Sequence, residues 1–256
     1  MTLNDKKIGI LIQARTSSKR LPKKVLAKID KKPMIFHVIS RVKKIKNAEI
    51  FLLTTNNPED DVLEKLGRKN EINVFRGSKY DVLKRYYDCS LKNKIDIIIR
   101  ITGDCPLIDT NIISKMLNIF NKNKFDYVTN TLPPTFPDGL DVEIFSFNTL
   151  KKVHKNAKLK SEREHVTPYI KKNPKSFKIF NYKNTKNFSN LRWTVDDKRD
   201  LKFIRKIFEL MKPKKEFAMK DVLKIIKQNP HILKINGDIE RDEGYKLSLK
   251  HDKIIS

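Results

Sequence analysis

Apolar residues along the chain arrive in two rhythms. Short, nearly unbroken runs read IGILIQA (8–14), EIFLLTT (49–55), INVFRG (72–77) and IDIIIRITGD (95–104). Their length and their wealth of β-branched residues predict strands. Between them, 33–46, 58–70 and 79–93 carry helical spacing; in YDVLKRYYDCSL, Val82, Leu83, Tyr86 and Tyr87 fall on one face. Unbroken apolar strands separated by helices predict a parallel sheet covered on both sides. One more helix fits 110–123.

The rhythm then changes. FDYVTN, DVEIFSF and SFKIFNY predict strands of a mixed sheet, with the Pro-rich loop TLPPTFPDG between the first two. Helices are predicted at 161–172, 198–211 and 218–228. With no internal repeat and no linker rich enough to divide it, the chain is expected to form one α/β domain, a mostly parallel mixed sheet with helices on both faces.

Composition narrows the function classes. The 256 residues suffice for a sizeable core, and a hydrophobic share of 39% with 14 Phe and 7 Tyr excludes a disordered chain. Lys and Arg number 56 against 30 Asp and Glu, a formal net charge of +26. Such charge attracts polyanions, but Lys is spread from end to end, as on an ordinary solvated surface. A nucleic-acid-binding module would interleave basic residues with exposed aromatics; here the aromatics follow core patterns, so no specific nucleic acid is expected. Cys89 and Cys105 have neither metal-ligand nor disulfide spacing and suit a reducing compartment. No run approaches the roughly 20 apolar residues that span a bilayer, and IGILI is too short for a signal segment. A cytoplasmic protein without membrane insertion is expected.

In open α/β sheets ligands bind at the carboxyl ends of strands. The first strand emerges into QARTSSKRLPKKVL, in which five of fourteen residues are Lys or Arg. Backbone amides there can ring an anion while Arg15, Arg20 and Lys24 neutralise it. The loop lacks the glycines of a P-loop or a dinucleotide fingerprint. Its place directly after a buried strand favours a phosphate site over a solvated loop. The fourth strand leads into RITGDCPLID, where Asp104 suits either a hard cation or a turn cap. In LRWTVDDKRDL, Asp196 and Asp197 stand where a helix begins, positions equally suited to capping. Two separated carboxylates and a basic loop are what metal-assisted nucleotidyl transfer requires.

These residues carry a resemblance. IQARTSSKRLPKKVL resembles the signature of the cytidylyltransferase family that includes the spore coat polysaccharide biosynthesis protein F group, related to the acylneuraminate and ketodeoxyoctonate cytidylyltransferases. The similarity continues through VFRGSKYDVLKRYY, RITGDCPLID, PDGLDVEIFS, EREHVTPYI, RWTVDDKRDL and RDEGYKLS, nearly the whole chain. It implies a Rossmann-like nucleotidyltransferase fold, CTP as donor and Mg²⁺ as cofactor. The nucleotide would occupy a half of about 1–110, and acceptor binding, with a homodimer contact, a half of about 111–256. Carried over, Arg15, Arg20 and Lys24 match triphosphate-binding positions, with Gln13, Ala14 and Ser18 in the same loop. Arg76, Gly77 and Ser78 match the segment beside the base. Asp104 and Asp196 match the metal site, so that Arg15, Lys24 and Asp104 form the catalytic set. One departure is Lys23, which stands where the pattern has Gly before the loop Lys; its loss could restrict close approach to a phosphate.

The small-molecule acceptor is left open. A phosphorylated acceptor brings an ionised oxygen, whereas a sugar acid attacks with a hydroxyl and benefits from a base. Asp138, Asp141, Glu143, Glu164 and His165 are the candidates for that pocket; Asp141 and His165 are preferred for binding, although a turn and a helix cap compete with those roles. A nucleotide-sugar-dependent glycosyltransferase is the alternative, disfavoured because a diphosphate does not need three loop cations.

Overall fold

The computed structural model describes residues 6–18 and 20–255, so that Lys19 of the basic stretch lies outside them. The apolar runs form the parallel heart of one sheet: β1 (Ile8–Gln13), β4 (Glu49–Thr55), β5 (Asn73–Gly77) and β6 (Ile97–Thr102). β1 lies at the centre, paired in parallel with β4 on one side and β6 on the other. Helices α1 (Met34–Val42), α2 (Asp61–Lys69), α3 (Val82–Lys92) and α4 (Thr110–Lys122) occupy the predicted connections. A two-stranded hairpin, β2 (Lys28–Ile29) with β3 (Lys32–Pro33), precedes α1.

The second half completes the same sheet rather than building another. β7 (Tyr127–Thr129), β8 (Glu143–Ser146) and β9 (Ile179–Asn181) extend it to the order β5-β4-β1-β6-β8-β7-β9. β8 runs antiparallel to both β6 and β7. Alternate residues of each strand feed opposite faces. Ile10, Ile12, Ile99, Ile144 and Trp193 enter one core cluster, and Leu11, Phe51, Ile98, Tyr127 and Phe145 the other.

Three expectations need correction. The extended run 141–147 stops early, because Ser146 accepts a hydrogen bond from the Thr149 amide and starts α5 (Phe147–Asn156). The helix expected over 161–172 is two, α6 (Lys160–His165) and α7 (Pro168–Lys172); Val166 between them has φ 74° and Pro168 cannot continue the ladder. Helix α10 (Glu243–Lys250) was not expected, since none of its residues is buried and it carries no apolar stripe. Helices α8 (Lys198–Leu210) and α9 (Met219–Gln228) lie where predicted. No described helix is long and apolar enough to cross a membrane.

Candidate functional site

The carboxyl ends of β1, β4 and β6 are stitched together by the backbone. The Ala14 amide donates to the Leu53 carbonyl (3.0 Å) and the Gly103 amide to the Gln13 carbonyl (2.9 Å). A side chain at 103 would meet Ala14 Cβ at 2.9 Å and the Gln13 carbonyl at 3.0 Å, so only glycine permits this approach.

The basic loop hangs from a carboxylate that the sequence pattern did not flag. Asp60, fully buried, accepts from the Thr16 amide (2.8 Å), the Thr16 hydroxyl (2.7 Å), the Thr55 amide (3.3 Å) and the Thr55 hydroxyl. The Lys23 amide closes the loop onto the Thr16 carbonyl at 2.9 Å. Lys23 itself is left-handed, φ 56° and ψ 27°, the conformation that glycine adopts without cost. The following turn, Lys24–Leu26, buries Val25 and aims Lys24 inward.

Lys24 Nζ donates to Asp104 Oδ2 and Asp196 Oδ1, each at 2.7 Å. This single ammonium joins the loop after β1, the end of β6 and the segment before α8. Although burial disfavours its charge, the two carboxylates more than compensate and raise its pKa above the ordinary lysine value. Asp104 is in turn lowered to about 2: burial opposes ionisation, but the Lys24 charge and hydrogen bond prevail. The Asp196–Asp197 ambiguity is resolved by geometry. Asp197 caps α8, accepting from the amides of Arg199 and Asp200, which leaves Asp196 facing Lys24.

Arg192 was missed altogether. Its guanidinium, 4% exposed, spans Asp138 (3.1 Å), Asp196 (3.0 Å) and Asp200 (2.9 Å). It lies inside the apolar-looking run LRWTV, where only the three partner carboxylates reveal its role. Trp193 donates its amide to the Asp138 carbonyl at 2.6 Å, and a side chain at Gly139 (φ 104°) would strike the Trp193–Thr194 backbone within 2.6 Å. The PDG turn is thereby pressed against the strand-like segment that carries Asp196.

The remaining loop cations meet acids from the second half. Arg20 Nη2 lies 3.2 Å from Asp196 Oδ2, and its Nη1 pairs with Glu243 of α10. Arg15 reaches Glu164 at 3.4 Å and the Lys79 carbonyl at 3.2 Å. Gln13 Oε1 and Ser17 Oγ are buried without a hydrogen-bond partner among the described residues. Ala14 is buried, and the Ser18 amide turns back to the Thr16 carbonyl (2.9 Å).

Other expected residues stand apart from this cluster. Arg76 binds the Thr55 and Asn57 carbonyls, Asp61 and Glu64, so its guanidinium fastens the β4–α2 connection. The Gly77 carbonyl accepts from the Asn56 amide at 3.0 Å, while the Ser78 hydroxyl accepts from the Asp81 amide at 3.0 Å. Asp141 pairs with Arg241; burial pushes its carboxyl up against that partner's pull. Burial and the Asp141 charge push neighbouring Asp138 up to about 7. His165 hydrogen-bonds Ser248 at 2.9 Å, and burial pushes its imidazole down to about 4. Glu143 is no pocket base: it is buried opposite Arg100 in the β6–β8 register, and also accepts from Thr167 at 2.7 Å.

Asp104 and Asp196 were expected to hold Mg²⁺. Among the described residues no group of three or more His, Cys, Asp or Glu is arranged to hold a metal ion. Two carboxylates sharing one cation nevertheless suit Mg²⁺, which keeps waters and takes substrate phosphates beside one or two carboxylates. The donor set fits.

A family profile described as Cytidylyltransferase matches residues 9–239. An uncharacterised protein of Methanocaldococcus jannaschii is 39% identical over 245 residues, covering 93% of this chain and 97% of its own. The spore coat polysaccharide biosynthesis protein SpsF of Bacillus subtilis is 28% identical, over 89% of this chain and 96% of its own. The solved structure of a cytidylyltransferase from Leptospira borgpetersenii superposes with TM-score 0.85 at 38% identity, covering 89% and 96% of the two chains.

Proposed function

The chain belongs to the cytidylyltransferase family, and from that premise we propose that it transfers CMP from CTP to a sugar acid or phosphorylated sugar-like acceptor in the cytoplasm, as a step of surface polysaccharide or glycan synthesis. An acceptor oxygen attacks the α-phosphorus, the bond to the bridging oxygen of the β-phosphate breaks, and pyrophosphate leaves. The convergence of Lys24 with Asp104 and Asp196 at the end of the central strand carries this reading.

Arg15, Arg20 and Lys24 would hold the triphosphate, Arg by paired donors and Lys as a point charge. Each now pairs with an acid, and the phosphate oxygens replace that partner. Gln13 Oε1, a buried acceptor without a donor among the described residues, suits an amino or hydroxyl group of the nucleoside. Asp104 and Asp196 would hold Mg²⁺, which when bound neutralises charge on the phosphates. Arg192 fixes Asp196 from behind through a charge-assisted bond. On the acceptor side, Asp138 lies one guanidinium away from Asp196 and is the carboxyl whose raised pKa suits taking a proton from an attacking hydroxyl. Asp141 and His165 would bind the acceptor; a His165 neutral at pH 7 offers a hydrogen bond rather than a charge.

The test is pyrophosphate release from each of the four nucleoside triphosphates with a panel of sugar acids and phosphorylated sugars. Release from CTP alone, dependent on an acceptor, is expected. Turnover of a nucleotide-sugar without use of a free triphosphate would contradict the proposal.

A further inference from the structure

Lys24 cannot serve the triphosphate and keep its present place at once. As a triphosphate ligand it must face phosphate oxygens; in the structure it lies between the carboxylates a divalent cation would need. Both contacts are 2.7 Å and its side chain is 13% exposed, so the ammonium is enclosed rather than loosely draped. Asp196 is further covered by Arg192 at 3.0 Å and Arg20 at 3.2 Å, both on Oδ2. The two carboxylates thus meet three cationic groups before any metal arrives. A dication approaching this protein without nucleotide would have to expel Lys24 into a loop already crowded with Arg15 and Arg20, against like-charge repulsion.

We infer that Lys24 is an internal counter-ion that keeps the Asp104–Asp196 pair closed to a free divalent cation, so that the metal enters only together with the triphosphate. The nucleotide supplies what the swap lacks: several negative charges that draw the ammonium out of the pair while the metal it carries takes the carboxylates. One exchange moves Lys24 from carboxylate to phosphate, and no buried charge is left unpaired at either end. The inference rests on the proposed use of CTP. It makes Lys24 a positioning residue for the metal as well as a ligand of the triphosphate, and it orders binding, with no metal-loaded enzyme ahead of nucleotide.

Mn²⁺ is a suitable probe because the electron paramagnetic resonance signal of the free ion reports binding without turnover. The wild-type protein should leave Mn²⁺ free, yet retain it as a ternary complex once CTP is present. Lys24→Met keeps the length of the side chain and removes the charge. At contact distances a unit charge is strong enough that its removal should tighten nucleotide-free Mn²⁺ binding by at least about tenfold. Adding Asp104→Asn to that variant should remove the gained site. Lys24→Gln replaces Lys24→Met if thermal unfolding shows the latter misfolded. Wild-type protein binding Mn²⁺ without CTP as tightly as the variant would overturn the inference, and so would a folded variant with no gain. Failure of the wild-type protein to bind CTP with Mn²⁺ would instead sink the functional reading beneath it.

Discussion

The two halves of the sheet handle charge in opposite ways. In β1 and its parallel neighbours most positions are apolar, and a group of charged side chains gathers beyond the carboxyl ends, where Arg15, Arg20, Lys24 and Asp104 remain partly open to solvent. Where β8 of the second half meets β6, charge enters the sheet itself. Glu143 is 4% exposed within β8, opposite Arg100 of β6; outside the named strands, Arg192 is likewise 4% exposed among three aspartates. Charges at strand ends can exchange partners when an anion arrives. Those inside the sheet cannot, because each would be left unpaired in a low-dielectric core. The first set can therefore exchange partners with an arriving anion, while the second fixes the structure behind it.

Substitutions at the two sets should separate activity from stability. The largest effect on turnover is expected at the strand ends. Asp104→Asn and Asp196→Asn should each cost about a hundredfold or more in pyrophosphate release, the scale of one preorganised electrostatic contact. The double variant should lose little more, since groups serving one ion act as a unit. Cooperative thermal unfolding should persist in both single variants, because Lys24 retains one carboxylate in each. Near-normal turnover in Asp196→Asn would return that residue to a purely structural role.

Inside the sheet the order reverses. Glu143→Gln leaves Arg100 without its partner and should cost about 3–5 kcal/mol of stability. Burial resists the Glu143 charge, but Lys171, Arg100 and the hydroxyls of Tyr127 and Thr167 outweigh it and lower the carboxyl from 4.5 to about 2. A carboxyl depressed by folding stabilises the native state above its unfolded value and loses that contribution as pH falls from 4.5 towards 2. Unfolding followed from pH 7 down to 2 should show a steep acid limb in the wild type and a flatter one in Glu143→Gln. Parallel limbs would contradict the pairing.

A smaller effect is expected at His165. Burial keeps this imidazole neutral down to about pH 4, so the profile of kcat/KM between pH 5.5 and 8 should contain no step that His165→Asn removes. Its KM for the acceptor should rise instead. A lost limb near 6.5 would make His165 the base. The smallest expected change is at Lys23, whose left-handed backbone costs about 1–2 kcal/mol, partly offset by the chain entropy glycine would lose. Lys23→Gly should stabilise by about 1 kcal/mol or less in thermal unfolding.

The same division decided what could be read from the sequence. A buried parallel strand is an unbroken apolar run, so β1, β4, β5 and β6 were legible, and with them the residues that follow their ends. Lys24 and Asp104 were singled out because each follows the end of an expected strand, and the structure brings them to 2.7 Å of one another. Arg192 and the Arg100–Glu143 pair were not found as supports, because a lone charge in an apolar run carries no signal of the partner that neutralises it; Asp60 was hidden among the other polar residues of NNPEDD. By residue type alone Asp196 and Asp197 were equivalent, and the family resemblance favoured Asp196; in the structure Asp197 caps α8 and Asp196 faces Lys24. Glu243, which meets Arg20, lay hidden in a short helix that buries none of its residues, where periodicity gives little to read.

The central claim, that the strand-end cluster directs an acceptor oxygen to the α-phosphorus, is tested most directly by ³¹P nuclear magnetic resonance of the products formed from CTP and an accepted sugar. Cleavage between the α- and β-phosphates should yield pyrophosphate together with one new phosphorus signal from CMP joined to the acceptor, in equal amounts. CDP accompanied by a phosphorylated acceptor would place the attack at the γ-phosphorus and contradict the account.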